Sequence, residues 1–417
     1  MRLIHPAAAT TLLLVTALAP AAFAAAEPAA PSLPAEQQLF PVFAWIGPPP
    51  EQTTVERYRE LRDCGFTHSF THMPGNDAAA KALDVAREAG VKLALSTADL
   101  RHDPEGTVKR FKDHPALGGY FLRDEPSASD FADLAAWAKR IQAVDAEHPC
   151  YINLFPNYAT PAQLGTADYR EHVSRFVAEV PVPFISFDHY PVVAAEGGRV
   201  SVRPEWYENL EIIAGAAKAA RKPFWAFALS VAHDPYPVAT AEHLRLQVYS
   251  NLAYGAQGIQ YFMYWTAESE TWNFHEGPVS ADGKRTAVYD RVRAMNEEIQ
   301  GLRGVFLGAE VLCVGHTGEP PRGTRAYAAA SPVKELRTSG SDGAVVSLLS
   351  KGDRRFLVVV NRDVNRPMAL NVALDGSKPV MQVAKNGEMA GPAGETGDEH
   401  KVTLEPGNLS ILTWLAN

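Results

Sequence analysis

The feature that most constrains this chain is an eightfold alternation of apolar runs of strand length with helical stretches. The predicted strands are Leu39–Gly47, Phe66–Met73, Val91–Asp99, Leu117–Glu125, Cys150–Phe155, Pro183–Tyr190, Pro223–Ser230 and Ile259–Trp265. Most of the stretches between them place apolar residues three and four positions apart, as amphipathic helices do. Alternating strands and helices form right-handed units on a parallel sheet. Eight units in about 270 residues have the size of a closed (β/α)8 TIM barrel, which we predict over residues 39–308.

An open doubly wound sheet is the alternative to a closed barrel. Such a sheet usually has a Gly-rich phosphate-binding turn after its first strand. Here the first strand runs into Gly47-Pro48-Pro49-Pro50, where the prolines lack the N–H donors that a phosphate needs. The sequence therefore favours the barrel.

The sequence pattern changes at about Ala309, where helical periodicity ends. Short alternating runs follow, separated by Gly, Asp, Asn and Pro. They are Ala326–Ala330, Val345–Leu349, Phe356–Val360, Met368–Val372, Val380–Val383 and Leu409–Leu415. Such runs predict a small antiparallel β-sandwich over residues 309–417.

The first residues are typical of an export signal. Arg2 precedes an apolar run over Ala7–Ala22, and Ala22-Phe23-Ala24 fits a cleavage site of small residues. We predict a signal peptide over 1–24, a linker over 25–38, and a secreted or periplasmic protein. An uncleaved membrane anchor is the alternative, but the run is short for a spanning helix.

Charge and cysteine content exclude several other classes. The chain has 39 Lys and Arg against 48 Asp and Glu, a formal net charge of −9, and no basic stripe. We therefore predict no nucleic-acid partner, and no stable membrane insertion because no other segment is long and apolar enough. Cys64, Cys150 and Cys313 are odd in number and far apart, so they are interpreted as small apolar core residues rather than a disulfide framework. The sequence does not indicate an oligomeric state.

Polar and aromatic side chains gather near the predicted carboxyl ends of the strands, where the loops of a barrel converge. The predicted binding residues are Trp45, His68, His72, Arg123, Asn153, His189, Tyr190, Trp225, His233, Tyr264, Trp265 and Glu268. Aromatic faces stack on sugar C–H groups, while amide, imidazole and guanidinium groups bond hydroxyls. This mixture predicts a polyhydroxylated ligand.

Two strand ends carry candidate catalytic carboxylates. Glu125 follows an apolar run beside Asp124, so burial and the second carboxylate should raise its pKa and make it a proton donor. The alternative is that one of the two caps the next helix or pairs with Arg123. Asp124 is the weaker candidate, because its side chain should point the other way along the strand. Asp188 ends another buried strand and is the predicted second carboxylate, unless it only holds His189 or Arg123.

Metal binding is the less favoured interpretation of the histidines. His68 and His72 share one face of a strand and could bind a metal with Asp188 or His233. No helical His-Glu-x-x-His motif or cysteine partner accompanies them, so hydroxyl binding is favoured. We predict no metal and no cofactor.

The stretch Gly118-Gly119-Tyr120-Phe121-Leu122-Arg123-Asp124-Glu125-Pro126 resembles the acid/base element after strand 4 of clan-A retaining glycoside hydrolases, with Asp in place of Asn. Tyr264-Trp265 at the end of strand 8 and the segment from Gly277 to Ile299 are similar to β-galactosidase-type barrels. The resemblance spans about residues 39–417 and implies an exported hydrolase of O-glycosidic bonds, with Glu125 as general acid and a carbohydrate as the substrate.

One departure from this family matters. The family carries its nucleophilic Glu at the end of strand 7, whereas Phe224–Ser230 contains no acid. Asp188, Glu268 or Glu270 then supplies the second carboxylate, or the substrate assists its own cleavage. The adjacent Asp124-Glu125 also resembles the pair of N-acetylhexosaminidases, in which Asp orients the substrate acetamido group. The remaining alternative is a barrel that binds carbohydrate without cleaving it.

Overall fold

Eight parallel strands close into a barrel in the computed structural model, which describes residues 38–392 and 399–416. The strands are β1 (Val42–Ala44), β2 (His68–Ser69), β3 (Lys92–Leu95), β4 (Leu117–Asp124), β5 (Cys150–Leu154), β6 (Ile185–Phe187), β7 (Phe224–Leu229) and β8 (Gly258–Phe262). Each pairs with its neighbours in sequence, and β8 pairs with β1. The predicted TIM barrel is confirmed. The predicted signal peptide over 1–24 lies outside the described residues, as does the linker apart from its last residue.

The helices pack around the barrel. They are α1 (Val55–Asp63), α2 (Asn76–Ala89), α3 (Ala98–His102), α4 (Pro104–Phe111), α5 (Phe131–Gln142), α6 (Pro161–Leu164), α7 (Tyr169–Glu179), α8 (Trp206–Ala220), α9 (Ala241–Ala253), α10 (Ala287–Gly301) and α11 (Arg303–Phe306). Side-chain caps fix several starts: Thr54 accepts from the N–H of Arg57, and Asp168 accepts from the N–H of Glu171. A short antiparallel hairpin, Val192–Ala194 with Val200–Val202, follows β6.

The segment after β3 differs from its predicted form. The strand ends at Leu95, because Thr97 caps α3 by accepting from the N–H of Leu100. Asp103 then caps α4, whose first residue is Pro104. Asp99, predicted as the end of the strand, therefore lies in a helix, where its carboxylate accepts from the N–H of Asn76.

An aromatic core fills the barrel interior. Its buried members include Phe43, Trp45, Phe70, Phe121, Tyr151, Phe184 and Phe227. Phe70 and Phe121 stack at 4.5 Å between ring centroids, and Trp45 meets the rings around it edge to face. Because these rings fill the space between the strands, the interior of the barrel is a packed core. They form a shallow floor below the carboxyl ends of the strands.

The carboxyl-terminal unit is an antiparallel sandwich, as predicted. Its strands are β9 (Glu310–His316), β10 (Val333–Ser339), β11 (Ala344–Lys351), β12 (Arg354–Asn361), β13 (Met368–Leu374), β14 (Met381–Val383), β15 (Met389–Pro392), β16 (Glu399–Leu404) and β17 (Leu409–Leu415). Six strands form one sheet in the order β9-β11-β12-β17-β14-β15, and β10-β13-β16 form the other. The predicted run Ala326–Ala330 is not a strand and makes only an isolated bridge at Ala326.

The six-stranded sheet buries one face on the barrel unit and the other on the three-stranded sheet. Val358 and Ile411 belong to the core on the barrel side of this sheet. Val359 and Leu412 pack in the core between the two sheets. Helix α9 lies under this sheet and is buried from His243 to Ala253 apart from the half-buried Arg245. A helix covered on both sides needs apolar residues all round, which explains its weakly amphipathic sequence.

The remaining global expectations concern membranes and cysteines. Within residues 38–392 and 399–416, no helix has the length and apolar character needed to cross a membrane. All three cysteines are free: Cys64 and Cys150 are buried, and Cys313 is half-buried. Burial raises the pKa of the Cys150 thiol to about 12, so this side chain behaves as a small apolar residue.

Candidate active site

A β-bulge in β4 aims Asp124 into the mouth of the barrel. Phe121 is paired with Tyr151 and Arg123 with Ile152, so Leu122 is an extra residue in the ladder. Phe121 points into the barrel, and without the bulge Asp124 would point outward. With it, Asp124 pairs with Asn153 and shares its inward direction. The expectation that Asp124 points away from the site was therefore wrong, because it assumed an unbroken alternation.

Glu125 turns into the same mouth by a different route. Its φ of 45° lies in the left-handed region, where non-glycine residues are uncommon, and its N–H still donates to the Asn153 carbonyl at 2.8 Å. Pro126 and the Ser127 cap then start the next helical turn. In this conformation the carboxyl group of Glu125 lies beside those of Asp124 and Asp188, and both influence its pKa. Two consecutive acidic residues thus face one site.

Asn153 links the strands that carry these acids. Its side-chain NH2 group donates to Asp124 Oδ1 at 3.1 Å and to Asp188 Oδ1 at 3.1 Å. Asn153 is buried on β5, between β4 and β6, so it can reach both neighbours. The structure therefore brings together the three predicted catalytic residues and Asn153.

Crowding of three carboxyl groups at the barrel mouth shifts their pKa values upward. Burial, with the Asp124 charge as a second cause, raises the pKa of Glu125 to about 7. Burial raises the pKa of Asp124 to about 6, although the side chain remains accessible at the mouth. Burial and the two neighbouring acids hold the pKa of Asp188 well above its usual range. The cluster therefore keeps at least one proton near neutral pH.

Aromatic rings and one guanidinium group border the carboxylates. Tyr190 is buried among Phe262, Phe227 and Tyr236, with centroid distances of 5.8 to 6.3 Å. Arg203 lies over the rings of Tyr158 at 4.8 Å and Tyr236 at 5.6 Å. Sequence reasoning missed Arg203 and Tyr236 because both lie in loops and not at the strand ends themselves. Aromatic residues in the loop after β7 could have indicated Tyr236, whereas no sequence signal marks Arg203.

Two further predicted residues belong to this border. His233 is buried beside Tyr236 at 4.7 Å and Phe274 at 4.9 Å, with the exposed Trp272 at 5.8 Å. His189 lies behind the carboxylates, where its Nδ1–H donates to Asn209 Oδ1 at 3.1 Å and burial lowers its pKa to about 3. His189 is therefore a neutral, largely structural imidazole.

Several predicted binding residues lie away from the carboxylates. His68 and Trp225 meet ring to ring at 6.1 Å near the amino-terminal ends of the strands, because the barrel's stagger offsets equivalent strand positions. Trp45 is buried below the mouth and donates to the Tyr151 oxygen at 2.6 Å. These three positions correct the expectation that their side chains line the site.

The aromatic pair after β8 faces outward. Tyr264 packs on Phe66 at 5.4 Å, and Trp265 lies under the Arg57 guanidinium at 5.2 Å, both in the layer between strands and helices. They are core residues and not sugar platforms, which corrects their predicted role. Glu268 is exposed in the loop beyond them.

His72 and Arg123 face a separate cavity on the outer side of β4. This cavity has a volume of about 330 Å³ and is also lined by Arg101, Asp133 and Trp137. The nearest acid to the Arg123 guanidinium there is Asp130 at 4.0 Å. Arg123 therefore neither pairs with Asp188 nor touches the carboxylate cluster directly. Within the described ranges, no group of three or more His, Cys, Asp or Glu side chains is arranged to hold a metal ion.

Part of the barrel matches the model of a known protein family. The family model described as Beta-galactosidase matches residues 160–302, about a third of the chain. That segment contains Asp188 but not Asp124 or Glu125. A search of curated protein sequences finds no match.

Solved structures of glycoside hydrolases share the fold. A beta-galactosidase from Bacillus circulans sp. alkalophilus superposes with a TM-score of 0.59 at 10% identity, over 90% of this chain and 99% of that one. A catalytic mutant of the GH42 beta-galactosidase Gan42B from G. stearothermophilus gives 0.54 at 9% identity, over 90% and 98%. The chain spans 60% of the beta-galactosidase from Marinomonas ef1, at 11% identity and a TM-score of 0.48 over 63% of this chain.

The matched segment and the shared barrel confirm the predicted resemblance to clan-A, β-galactosidase-type glycoside hydrolases. At these identities the structural likeness concerns the fold. The residues that act and the sugar that is cleaved are therefore argued from the site itself.

Proposed function

We propose that this protein is an exported hydrolase of O-glycosidic bonds in an oligo- or polysaccharide, with Glu125 as the general acid. The single observation that carries this proposal is the half-buried Glu125 carboxyl at the barrel mouth, beside the carboxyl groups of Asp124 and Asp188. A carboxyl with a pKa near 7 is protonated in a large fraction of molecules at neutral pH. It can therefore give its proton to a departing glycosidic oxygen.

The second carboxylate comes from β4 or β6 in this proposal. The residues after β7, from Ser230 to Ala232, contain no acid. Asp124 and Asp188 each lie 3.1 Å from the same Asn153 nitrogen, so their bonded oxygens are at most about 6 Å apart. Inverting enzymes separate their two carboxyl groups by ~6.5–9.5 Å to admit a water molecule. The distance that decides between retention and inversion is the one from Glu125 to whichever of these two groups acts.

Substrate assistance is the second candidate, and the same cluster favours it. One carboxyl of an adjacent Asp-Glu pair can orient a substrate acetamido group, which then attacks the anomeric carbon in place of a protein nucleophile. Asp124 points into the mouth and is held by Asn153, as such a role requires. The substrate would then be an N-acetylhexosaminide. A β-galactoside is the first substrate to test for the main proposal, because the matched family bears that name.

The testing experiment is a screen of the purified protein on nitrophenyl glycosides and natural oligosaccharides, including β-galactosides and N-acetyl-β-hexosaminides. On a natural substrate, Glu125→Gln should lower kcat/KM by roughly 10²–10⁴-fold with the fold intact. The matched control is Glu388→Gln, an exposed carboxyl in the sandwich, which should retain activity. Saccharide binding without hydrolysis would contradict the enzyme and indicate a carbohydrate-binding barrel.

Export is a separate part of the proposal. It is supported by the apolar run over Ala7–Ala22 with its small-residue cleavage site. Expression of the full chain in a bacterial host should give a product in the periplasm or medium whose mass corresponds to cleavage after Ala24. A full-length cytoplasmic product would contradict this.

A further inference from the structure

A chain of hydrogen bonds crosses the aromatic core and ends on the catalytic carboxylates. The indole N–H of Trp45 donates to the Tyr151 oxygen at 2.6 Å, and the Tyr151 hydroxyl donates to Gln260 Oε1. The Gln260 NH2 group donates to Ser186 Oγ at 2.8 Å, and Ser186 donates to Asn153 Oδ1 at 2.8 Å. All five residues are buried, between 0% and 5% exposed. We call these first four residues the orienting chain.

The direction of this chain is determined by its first member. An indole N–H can only donate, so the Tyr151 oxygen accepts and its hydroxyl must donate onward. Burial holds the pKa of Tyr151 well above its usual value, so the phenol keeps that proton. Gln260 must therefore present its oxygen to Tyr151 and its NH2 group to Ser186. The Ser186 hydroxyl lies 3.5 Å from the Tyr151 oxygen and 2.8 Å from Asn153 Oδ1, so its shorter and stronger bond is the one to Asn153.

We propose that Trp45, Tyr151, Gln260 and Ser186 are positioning residues that hold the Asn153 amide with its NH2 group toward Asp124 and Asp188. A rotated amide would present its oxygen to both carboxylates and repel them when they are charged. The chain thereby helps Asp124 and Asp188 to carry charge without touching the substrate. This inference rests on the proposed function for its kinetic consequence, but its structural part is independent of any substrate.

The effect on the carboxyl groups has a defined sign. The hydrogen bond from Asn153 lowers the pKa of Asp124 and of Asp188, opposing the larger upward effect of burial. The other titratable or charged groups near them are Glu125, Arg123, Tyr151, Tyr158, Tyr169 and Tyr190. Of these only Tyr151 belongs to the orienting chain, and it carries no charge because burial keeps its pKa well above the usual value. Breaking the chain should therefore raise the carboxyl pKa values while the neighbouring charges stay unchanged.

The test is a ¹³C NMR titration of the side-chain carboxyl groups in the whole purified protein. Ser186→Ala should move the titration midpoints of Asp124 and Asp188 upward by about one pH unit. Tyr151→Phe, which removes one oxygen further along the chain, should shift them in the same direction by less. Ser186→Thr, which restores a hydroxyl, should return the midpoints toward the wild-type values.

Ser69→Ala is the matched control, because Ser69 is a buried serine on β2 whose hydroxyl bonds only the Ala44 carbonyl. Its midpoints should equal those of the wild type. Where a substrate is known, the acidic limb of the kcat/KM profile should move with the NMR midpoints. If Ser186→Ala and Tyr151→Phe fold and titrate like Ser69→Ala, the inference is wrong even if hydrolysis is found. If no glycoside is hydrolysed but the midpoints shift as expected, the orienting chain stands and the proposed function does not.

Discussion

The carboxyl groups of Glu125 and Asp188, which follow β4 and β6, lie close enough across the end of β5 for each to shift the pKa of the other. A hydrogen bond between them needs a proton on one of the two groups, since two carboxylates have only acceptors. Asn153 lies between their strands and donates to Asp188, so the amide offsets part of the repulsion between the two charges. The pair is therefore arranged to release and recover one proton near neutral pH.

This arrangement predicts a stability cost that grows with pH. Each folded-state pKa lies above its unfolded value, so the folded protein binds more protons between pH ~4.5 and ~7 and loses stability as pH rises through that window. Glu125→Gln cannot ionise. We expect its free energy of unfolding to exceed that of the wild type by about 1–3 kcal/mol at pH 8, and to match it near pH 4.

The measurement is denaturant unfolding of both proteins from pH 4 to pH 8. Glu268→Gln provides the control, and its difference from the wild type should not change with pH because this side chain is exposed. A Glu125→Gln difference that is constant across the range would show that Glu125 does not hold a shifted proton.

The activity of Glu125→Gln should also depend on the leaving group. Gln keeps the volume of Glu but cannot supply a proton, so substrates with poor leaving groups should suffer most. We expect the roughly 10²–10⁴-fold loss on natural glycosides to shrink markedly on nitrophenyl glycosides, whose leaving group needs little protonation. Equal losses on both substrates, compared as kcat/KM, would assign Glu125 a role in binding or positioning instead.

The barrel and the location of its site were predictable from sequence because both depend on local patterns. Apolar runs fix the strands, and strand ends converge whatever the loops contain, so Glu125 and Asp188 were expected at one rim. The direction of Asp124 was not predictable, since an extra residue in the ladder at Leu122 is set by pairing with β5. His68 lies below the rim because the strands of the closed barrel are staggered. The sequence of a single strand does not specify that stagger.

The aromatic residues show the same limit. Tyr264-Trp265 resembles a sugar platform in sequence, yet both side chains pack outward under the helices. Tyr236 and Arg203, which do border the carboxylates, come from loops without a recognisable spacing. A sequence indicates which residue types surround a site more reliably than it indicates which of them face it.

The contact between sandwich and barrel predicts a stability effect at Gly407. This glycine has a φ of 67°, and a Cβ there would lie 2.6 Å from the Glu242 carbonyl and 2.7 Å from the Leu246 nitrogen of α9. Gly407→Ala should therefore push the sandwich from the helix and destabilise the protein by about 1–3 kcal/mol or more. Gly352→Ala is the matched control, with a φ of 56° and nothing within 4 Å of the added Cβ. Both variants carry the cost of placing alanine at a positive φ, but only Gly407→Ala adds a clash with α9. Thermal unfolding of the two variants therefore measures the clash separately, and equal losses of stability would contradict a close contact at Gly407.

The last prediction concerns which acid is the second catalytic carboxylate. If Asp188 is the nucleophile or base, Asp188→Ala should be inactive, and azide should restore turnover and yield a glycosyl azide. If Asp188 only tunes the pKa of Glu125, Asp188→Asn should keep partial activity with an altered pH profile, and azide should have no effect. In a substrate-assisted enzyme Asp124→Ala should be the more damaging change, and only N-acetyl sugars should be cleaved. Product analysis by mass spectrometry distinguishes these cases. Full hydrolysis by Asp188→Ala without azide would remove Asp188 from the mechanism and direct attention to Glu268 and Glu270 in the loop after β8.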